Sequence, residues 1–175
     1  MKVLKVNDEV YYDKGPIVDV SQVDIEYLKT IAANNVRKRS RLCAHPDPAD
    51  TLHEMLIIHE QSAYVRAHSH LCRSESLHVV CGSADVVIFG PDGGVSDVIE
   101  VGEYSSGKTF YYRIPGGVIH TLLIRTEVFV FHEVTSGPFN PDSSHFPDWA
   151  PMEDDPQCIS YIDELEKRIK LHHLK

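Results

Sequence analysis

His68 and His70 stand two residues apart, Glu75 follows after a gap of four residues, Gly82 comes later, and His120 ends the run Pro115-Gly116-Gly117-Val118-Ile119-His120. This arrangement constrains the chain more than any other feature, because it asks for strands that deliver four side chains to one point. On an extended strand, residues two apart point to the same face, so His68 and His70 can reach a single ion without further geometry. A turn between His70 and Glu75 brings the carboxylate back beside the imidazoles, and Gly82 closes the returning strand. His120 is expected on a separate hairpin, placed by the rigid Pro115 and the permissive Gly116 and Gly117. Three histidines and one glutamate suit one divalent transition metal ion, Fe, Zn, Mn or Ni, with one or two coordination positions left open. Open positions belong to a catalytic or ligand-binding site.

The surrounding sequence supplies the strands. Met55-Leu56-Ile57-Ile58, Leu77-His78-Val79-Val80-Cys81, Ala84 to Phe89, Phe110 to Ile114 and Val128 to Phe131 are short β-rich runs. The turn signal Phe89-Gly90-Pro91-Asp92-Gly93-Gly94 and a polar break from Gly102 to Gly107 punctuate them, as in a small antiparallel barrel. Before the barrel, Glu9 to Tyr12 can form a strand at a sheet edge or against another subunit. Ser21-Gln22-Val23-Asp24 has the form of a helix cap, with Val23, Ile25, Leu28 and Ile31 as an apolar stripe running to about residue 34. After Gly137 the chain is rich in Pro, Asp and Ser, and Ser160 is the expected cap of a last helix bearing Ile162, Leu165 and Ile169.

The spacings HxHx4Ex6G and PxGxxH resemble the two motifs of the cupin superfamily. Val36-Arg37-Lys38-Arg39, Ser62-Ala63-Tyr64-Val65-Arg66, Gly137-Pro138-Phe139 and Trp149-Ala150-Pro151-Met152-Glu153 extend the resemblance to the WbuC-family cupin-fold metalloproteins, over roughly residues 30 to 154. Ala67 stands where such proteins usually have Pro, Ser69 where they have a basic residue, and the Asn often found four residues after the last histidine is missing. The resemblance implies an all-β fold: a small antiparallel cupin (jelly-roll) barrel with a short N-terminal helix and a C-terminal helix. The whole chain, residues 1–175, is then one cupin domain, with an N-terminal strand and helix to 40, the barrel over 41–137 and a C-terminal loop and helix beyond. The implied metal ligands are His68, His70, Glu75 and His120.

Length and charge narrow the function. A chain of 175 residues buries the core of one domain and is short for two. A net charge of −9, with no long basic run, speaks against a nucleic-acid partner. No membrane-spanning run and no secretory leader are expected, so the cytoplasm is the expected location. Cys43, Cys72, Cys81 and Cys158 form no CxxC pair and read as reduced thiols, with Cys72 noted for its position between two ligands.

Further candidates flank the centre. Arg37, Arg39 and Arg41 alternate, so an extended backbone aims all three at one face, where Arg37 and Arg39 are the candidate substrate-binding residues for a phosphate or carboxylate; a solvated basic loop is the alternative. Tyr64 and Arg66 precede His68 by even steps and are the candidate catalytic residues, for substrate orientation or proton transfer. His53, His59, His78, His132 and His145 read as structural or surface residues, with His78 and His132 inside the barrel if their strands turn them inward. Trp149 and Phe139 read as fixing the C-terminal segment.

The WbuC resemblance implies a role in O-antigen and surface-polysaccharide biosynthesis. The expected function is a metal-dependent enzyme of isomerase or epimerase type, acting on a sugar or sugar-nucleotide. An iron-dependent dioxygenase and a non-catalytic sugar-binding module are the alternatives at the same ligands. A small-molecule substrate, no membrane partner and a homodimer complete the expectation.

Overall fold

A computed structural model describes residues 2–174 of the chain. Twelve strands and two α-helices follow one another: β1 (Val3–Lys5), β2 (Val10–Asp13), α1 (Gln22–Asn34), β3 (Arg39–Cys43), β4 (Leu52–Glu60), β5 (Ser69–His70), β6 (Glu75–Cys81), β7 (Ser83–Phe89), β8 (Val95–Gly102), β9 (Tyr111–Ile114), β10 (Ile119–Ile124), β11 (Val128–Ser136), β12 (Ser144–His145) and α2 (Gln157–His172). A seven-stranded sheet runs β1-β2-β3-β4-β11-β6-β9, a three-stranded sheet runs β10-β7-β8, and β12 pairs with β5.

The large sheet curls around an interior whose makeup follows from strand alternation. From β4, His53, Met55, Ile57 and His59 point inward, while Leu56 and Ile58 pack under α1. From β3, Arg39, Arg41 and Cys43 point inward, while Ser40 and Leu42 turn outward, the Ser40 hydroxyl donating to the Leu28 carbonyl at 2.8 Å. Leu28, Ala32, Leu42, Ile58 and Val130 form the layer between α1 and the sheet. Met55, Leu77, Val86, Leu122, Phe129 and Phe131 fill part of the space between the two sheets. On the far side, Leu165 and Ile169 of α2 pack with Val87, Phe89 and Leu123.

The structure departs from the sequence expectations in four places. β2 and β3 run parallel, because α1 carries the chain back to the end from which it came. No ladder among the described residues joins the edges of the large and small sheets, so the architecture is a curled sheet facing a smaller one, where an all-antiparallel barrel was expected. The strand expected at Glu9 to Tyr12 forms as β2, but it lies between β1 and β3 of the same chain, and the sheet edge falls to β1. α2 begins at Gln157, and Ser160 lies inside it with its hydroxyl on the Gln157 carbonyl at 3.0 Å, so a Ser that looked like a cap instead bonds back within the first turn.

Candidate functional site

His68, His70, Glu75 and His120 converge. The backbone N–H of His68 donates to the carbonyl of His120 at 3.0 Å, and the N–H of His120 to that of His68 at 2.9 Å, so the two residues face each other across a bridge. Their ring centroids are 4.6 Å apart, and the His70 ring lies 4.9 Å from His68 and 6.1 Å from His120. Glu75 opens β6 after a turn in which Cys72 takes the left-handed conformation, φ 65°. Its Oε1 is 2.9 Å from His120 Nε2 and its Oε2 is 3.1 Å from His70 Nε2.

Two glycines set this geometry. A Cβ on Gly116 would stand 3.0 Å from the Arg73 backbone and 3.1 Å from the His70 carbonyl, so any side chain there would push the 115–118 turn and the ligand loop apart by a few tenths of an ångström. Gly82, at φ 82°, would drive a Cβ to 2.3 Å from the Val128 carbonyl. His120 itself lies on β10 in the small sheet, while β9 lies in the large one, so the Pro115 turn links two sheets where a hairpin was expected.

The proton count at this cluster is informative. His68 Nδ1–H donates to the Arg66 carbonyl at 2.8 Å, and His120 Nδ1–H to the Val118 carbonyl at 3.0 Å. A backbone acceptor on Nδ1 fixes the tautomer that leaves Nε2 with a lone pair. In His120 that lone pair faces the Glu75 carboxylate, which is repulsive unless a proton or a metal cation lies there. Without metal the proton supplies the charge: burial opposes charging His120, but the hydrogen bond and charge of Glu75 prevail and raise its pKa. Burial likewise opposes ionising Glu75, yet the hydrogen bonds from His120 and His70 hold it well below the usual carboxylate range. His68 stays neutral, lowered to about 4 by burial and by the neighbouring His120.

The donor set and its backbone anchors fit a divalent transition metal. The distances do not yet do so: among the described residues no group of three or more His, Cys, Asp or Glu stands in metal-holding geometry, because the Glu75 oxygens bond directly to the two Nε2 atoms. His70 carries the second adjustment. Its Nδ1 lies 3.2 Å from both Ser144 Oγ and an Arg73 guanidinium nitrogen; donation to Ser144 frees Nε2 as a ligand, whereas acceptance from Arg73 leaves the proton on Nε2.

The cluster forms one wall of a cavity of about 700 Å³. Sequence reasoning missed several of its other lining residues. Glu133 lies on β11, paired with Leu77 and Met55, and faces inward with Phe131 and Thr135. Burial and the charge of Glu75 push its carboxyl up to about 7. Tyr112 also points in, its phenol raised well above the ordinary value by burial and by the charges of Glu75 and Glu133. The two-residue step from the apolar Phe131 is the signal that could have found Glu133. His45, His53 and His59 line the cavity too, the first two stacked with centroids 4.0 Å apart.

The remaining candidates fall elsewhere. Residues 63–67 are not a regular strand, so Tyr64 does not share the face of His68: its hydroxyl donates to the Pro151 carbonyl at 2.9 Å, and it is absent from the cavity wall. Arg66 does line the cavity, but its Nε donates to the Ala150 carbonyl at 3.0 Å and its guanidinium lies 4.9 Å from the centroid of the Phe146 ring. Arg37 and Arg39 are engaged by carboxylates: Arg37 by Glu9 at 3.2 Å and by Glu153, Arg39 by Glu9 at 2.9 Å and Glu153 at 3.1 Å. They tie the N-terminal segment to the C-terminal one at the cavity wall. His78 and His132 face each other on the outer side of the sheet. Trp149 packs on Phe89 and Gly93, and Phe139 stands on the cavity wall.

Residues 20–101 match a family described as a domain of unknown function, DUF6016. No curated protein matches this chain. Among solved structures, the capsular polysaccharide assembling protein CapF from Staphylococcus aureus is similar with a TM-score of 0.51 and 17% identity, over 64% of this chain and 32% of that one. A variant of the oxalate decarboxylase OxdC from Bacillus subtilis gives 0.49 and 22%, over 71% and 32%. KdgF from a Halomonas species gives 0.47 and 15%, over 62% and 87%. This chain spans about a third of the length of CapF or OxdC. The likeness is one of fold, and the fold is cupin-like.

Proposed function

We propose that this chain is a metal-dependent cupin enzyme of the WbuC type, acting on a small sugar-derived metabolite in surface-polysaccharide synthesis. The observation that carries the metal is the one at His120: Nδ1–H is given to a backbone carbonyl, and the remaining lone pair is aimed at a carboxylate. His68, His70, Glu75 and His120 would hold the ion. When bound, it supplies Lewis acidity toward a carbonyl or hydroxyl oxygen. Glu133 is the group placed to move a proton at the substrate, in the role first expected of Tyr64, since it reaches the same cavity from the adjoining strand. Arg66, fixed by Ala150, shapes the wall. CapF, whose printed name assigns it to capsular polysaccharide assembly, supports the sugar reading through its fold.

Metal content of the purified protein, measured by inductively coupled plasma mass spectrometry beside the His68→Ala/His120→Ala double variant, tests the proposal. Near-stoichiometric metal in the first and none in the second is the expected result. No metal in the wild-type protein, even after reconstitution with iron, zinc, manganese or nickel, would refute it. A panel of sugar phosphates and nucleotide sugars then tests turnover.

A further inference from the structure

Strand alternation sets Arg41 inside the cavity without a salt-bridge partner among the described residues. Arg39 has its own partners in Glu9 and Glu153. Arg41, two residues on and facing the same way, has none: among the described residues its guanidinium makes no ion pair and no hydrogen bond, and its Nε is buried without a partner. Arg41 pairs with Ile57, and His59 stands two residues further along β4, at the diagonal position where side chains on paired strands come into reach. The Nδ1 of His59 is buried and unpartnered as well, in a ring only 7% exposed. Burial and the charges of Arg39 and Arg41 keep this imidazole neutral, lowered to about 3, so it offers hydrogen bonding without further positive charge.

Buried donors are seldom left unsatisfied, so the buried Nε of Arg41 and the buried Nδ1 of His59 call for an acceptor from the cavity. Glu133, an inward carboxylate on the same wall, feels the charge of Arg41 but forms no hydrogen bond with it. We infer that Arg41 and His59 form an anion-holding subsite of this cavity, taking the carboxylate or phosphate group of a hexose-sized substrate whose hydroxyls reach toward Glu75. The identity of the far end rests on the function proposed above; the subsite does not.

The size follows from register. Glu75 and His53 both pair with Thr135 and so share one row, whereas Arg41 shares the row of Ile57, four residues along β4. Measured along the strand that is about 13 Å, at roughly 3.3 Å per residue. The reach of the arginine side chain takes up part of this span, and the rest suits a single six-carbon sugar.

The test is titration of inorganic phosphate, a hexose 6-phosphate, a hexuronate and a neutral hexose into the wild-type protein, Arg41→Met, Arg41→Lys and Lys108→Gln, read by calorimetry and melting temperature. Lys108 pairs with Glu100 away from the cavity and serves as the charge control. Phosphate, the sugar phosphate or the hexuronate should bind wild type and Lys108→Gln, with affinity in Arg41→Met weakened at least about tenfold, the loss of one charge-assisted contact. The tighter anion identifies the group as phosphate or carboxylate. Arg41→Lys should keep part of the binding, having the charge without the planar fork. Ligand-free Arg41→Met should melt close to wild type, since the guanidinium gives up no ion pair or hydrogen bond among the described residues. Unchanged anion affinity in Arg41→Met, equal binding of the neutral hexose, or an unfolded Arg41→Met would each overturn the subsite. The two readings separate cleanly: anion binding through Arg41 in a protein that takes up no metal sinks the proposed function and leaves the subsite standing, while metal-loaded wild type that binds none of these anions does the reverse.

Discussion

Oε1 of Glu75 lies 2.9 Å from Nε2 of His120, whose other ring nitrogen lies 3.0 Å from the Val118 carbonyl. Both residues are nearly inaccessible, at 6% and 3% exposure, so the pair is a buried one. Glu75 also receives His70, which makes it the hub on which the two imidazoles close.

Truncating that hub leaves the buried Nε2 of His120 and the part-buried Nε2 of His70 without their carboxylate. In metal-free protein, Glu75→Ala should lower the unfolding free energy by about 3–5 kcal/mol, the usual result of removing one member of a buried ion pair. Glu75→Gln keeps an oxygen acceptor for one imidazole and should lose less. Urea unfolding of the three proteins after chelation checks this; equal stability of Glu75→Ala and wild type would mean that no ion pair forms.

Arg125 holds the last helix to the small sheet. It donates to Asp85 at 2.8 and 2.6 Å and reaches Glu166 of α2 at 3.0 Å, with a second, shorter contact to the same carboxylate. Arg125→Met leaves Asp85, at 6% exposure, without its cation. The expected loss is about 2–4 kcal/mol, concentrated in α2, because a buried carboxylate stripped of its partner stays charged or takes up a proton at a penalty. Hydrogen exchange should show the amides of residues 157–172 opening before those of β7; uniform acceleration across the chain would contradict the anchor role.

What could be read from the sequence was local, and what could not depended on pairing between distant strands. The period-two step placed His68 and His70, the cap signature placed α1, and the apolar runs placed β4, β6, β7, β9 and β11. Tyr64 failed because period-two reasoning assumes a regular strand, and residues 63–67 do not form one. Arg37 and Arg39 looked free because their partners, Glu9 and Glu153, lie 28 to 116 positions away in the chain. Glu133 was hidden for the same reason: only the register of β11 between β4 and β6 shows that it shares a cavity with Glu75.

Acid should unfold the protein partly through His59. Its pKa is lowered to about 3 by burial and by the charges of Arg39 and Arg41, against about 6.5 in the unfolded chain. The unfolded state therefore takes up this proton first, so stability is intact above pH 6.5 and falls as pH drops from there toward 3. The slope from this group approaches about 1.4 kcal/mol per pH unit. His59→Leu should flatten the urea-derived stability curve of metal-free, ligand-free protein between pH 6 and 4. A variant whose curve parallels the wild type would show that other groups carry the acid sensitivity.

Gly116 ties the fold to the site more tightly than its place in a surface turn suggests. The Gly117 N–H donates to the His70 carbonyl at 2.8 Å, so the turn is bonded to the ligand loop as well as pressed on it. An added methyl at Gly116 meets backbone on both sides, Arg73 at 3.0 Å and His70 at 3.1 Å, and neither is the free end of a side chain that could swing away. The loop must then retreat by a few tenths of an ångström, which separates His70 from His120 while leaving the sheets intact. Gly116→Ala should therefore lower stability by only about 1 kcal/mol, in the ordinary range for a single substitution, yet weaken metal retention by about tenfold or more, since a misplaced ligand or its supporting shell typically carries a loss of that size. Competition with a graded series of chelators, read beside the melting temperature, measures both quantities on one sample. Metal retention falling only in step with stability would mean that the turn supports the fold alone and does not position His70.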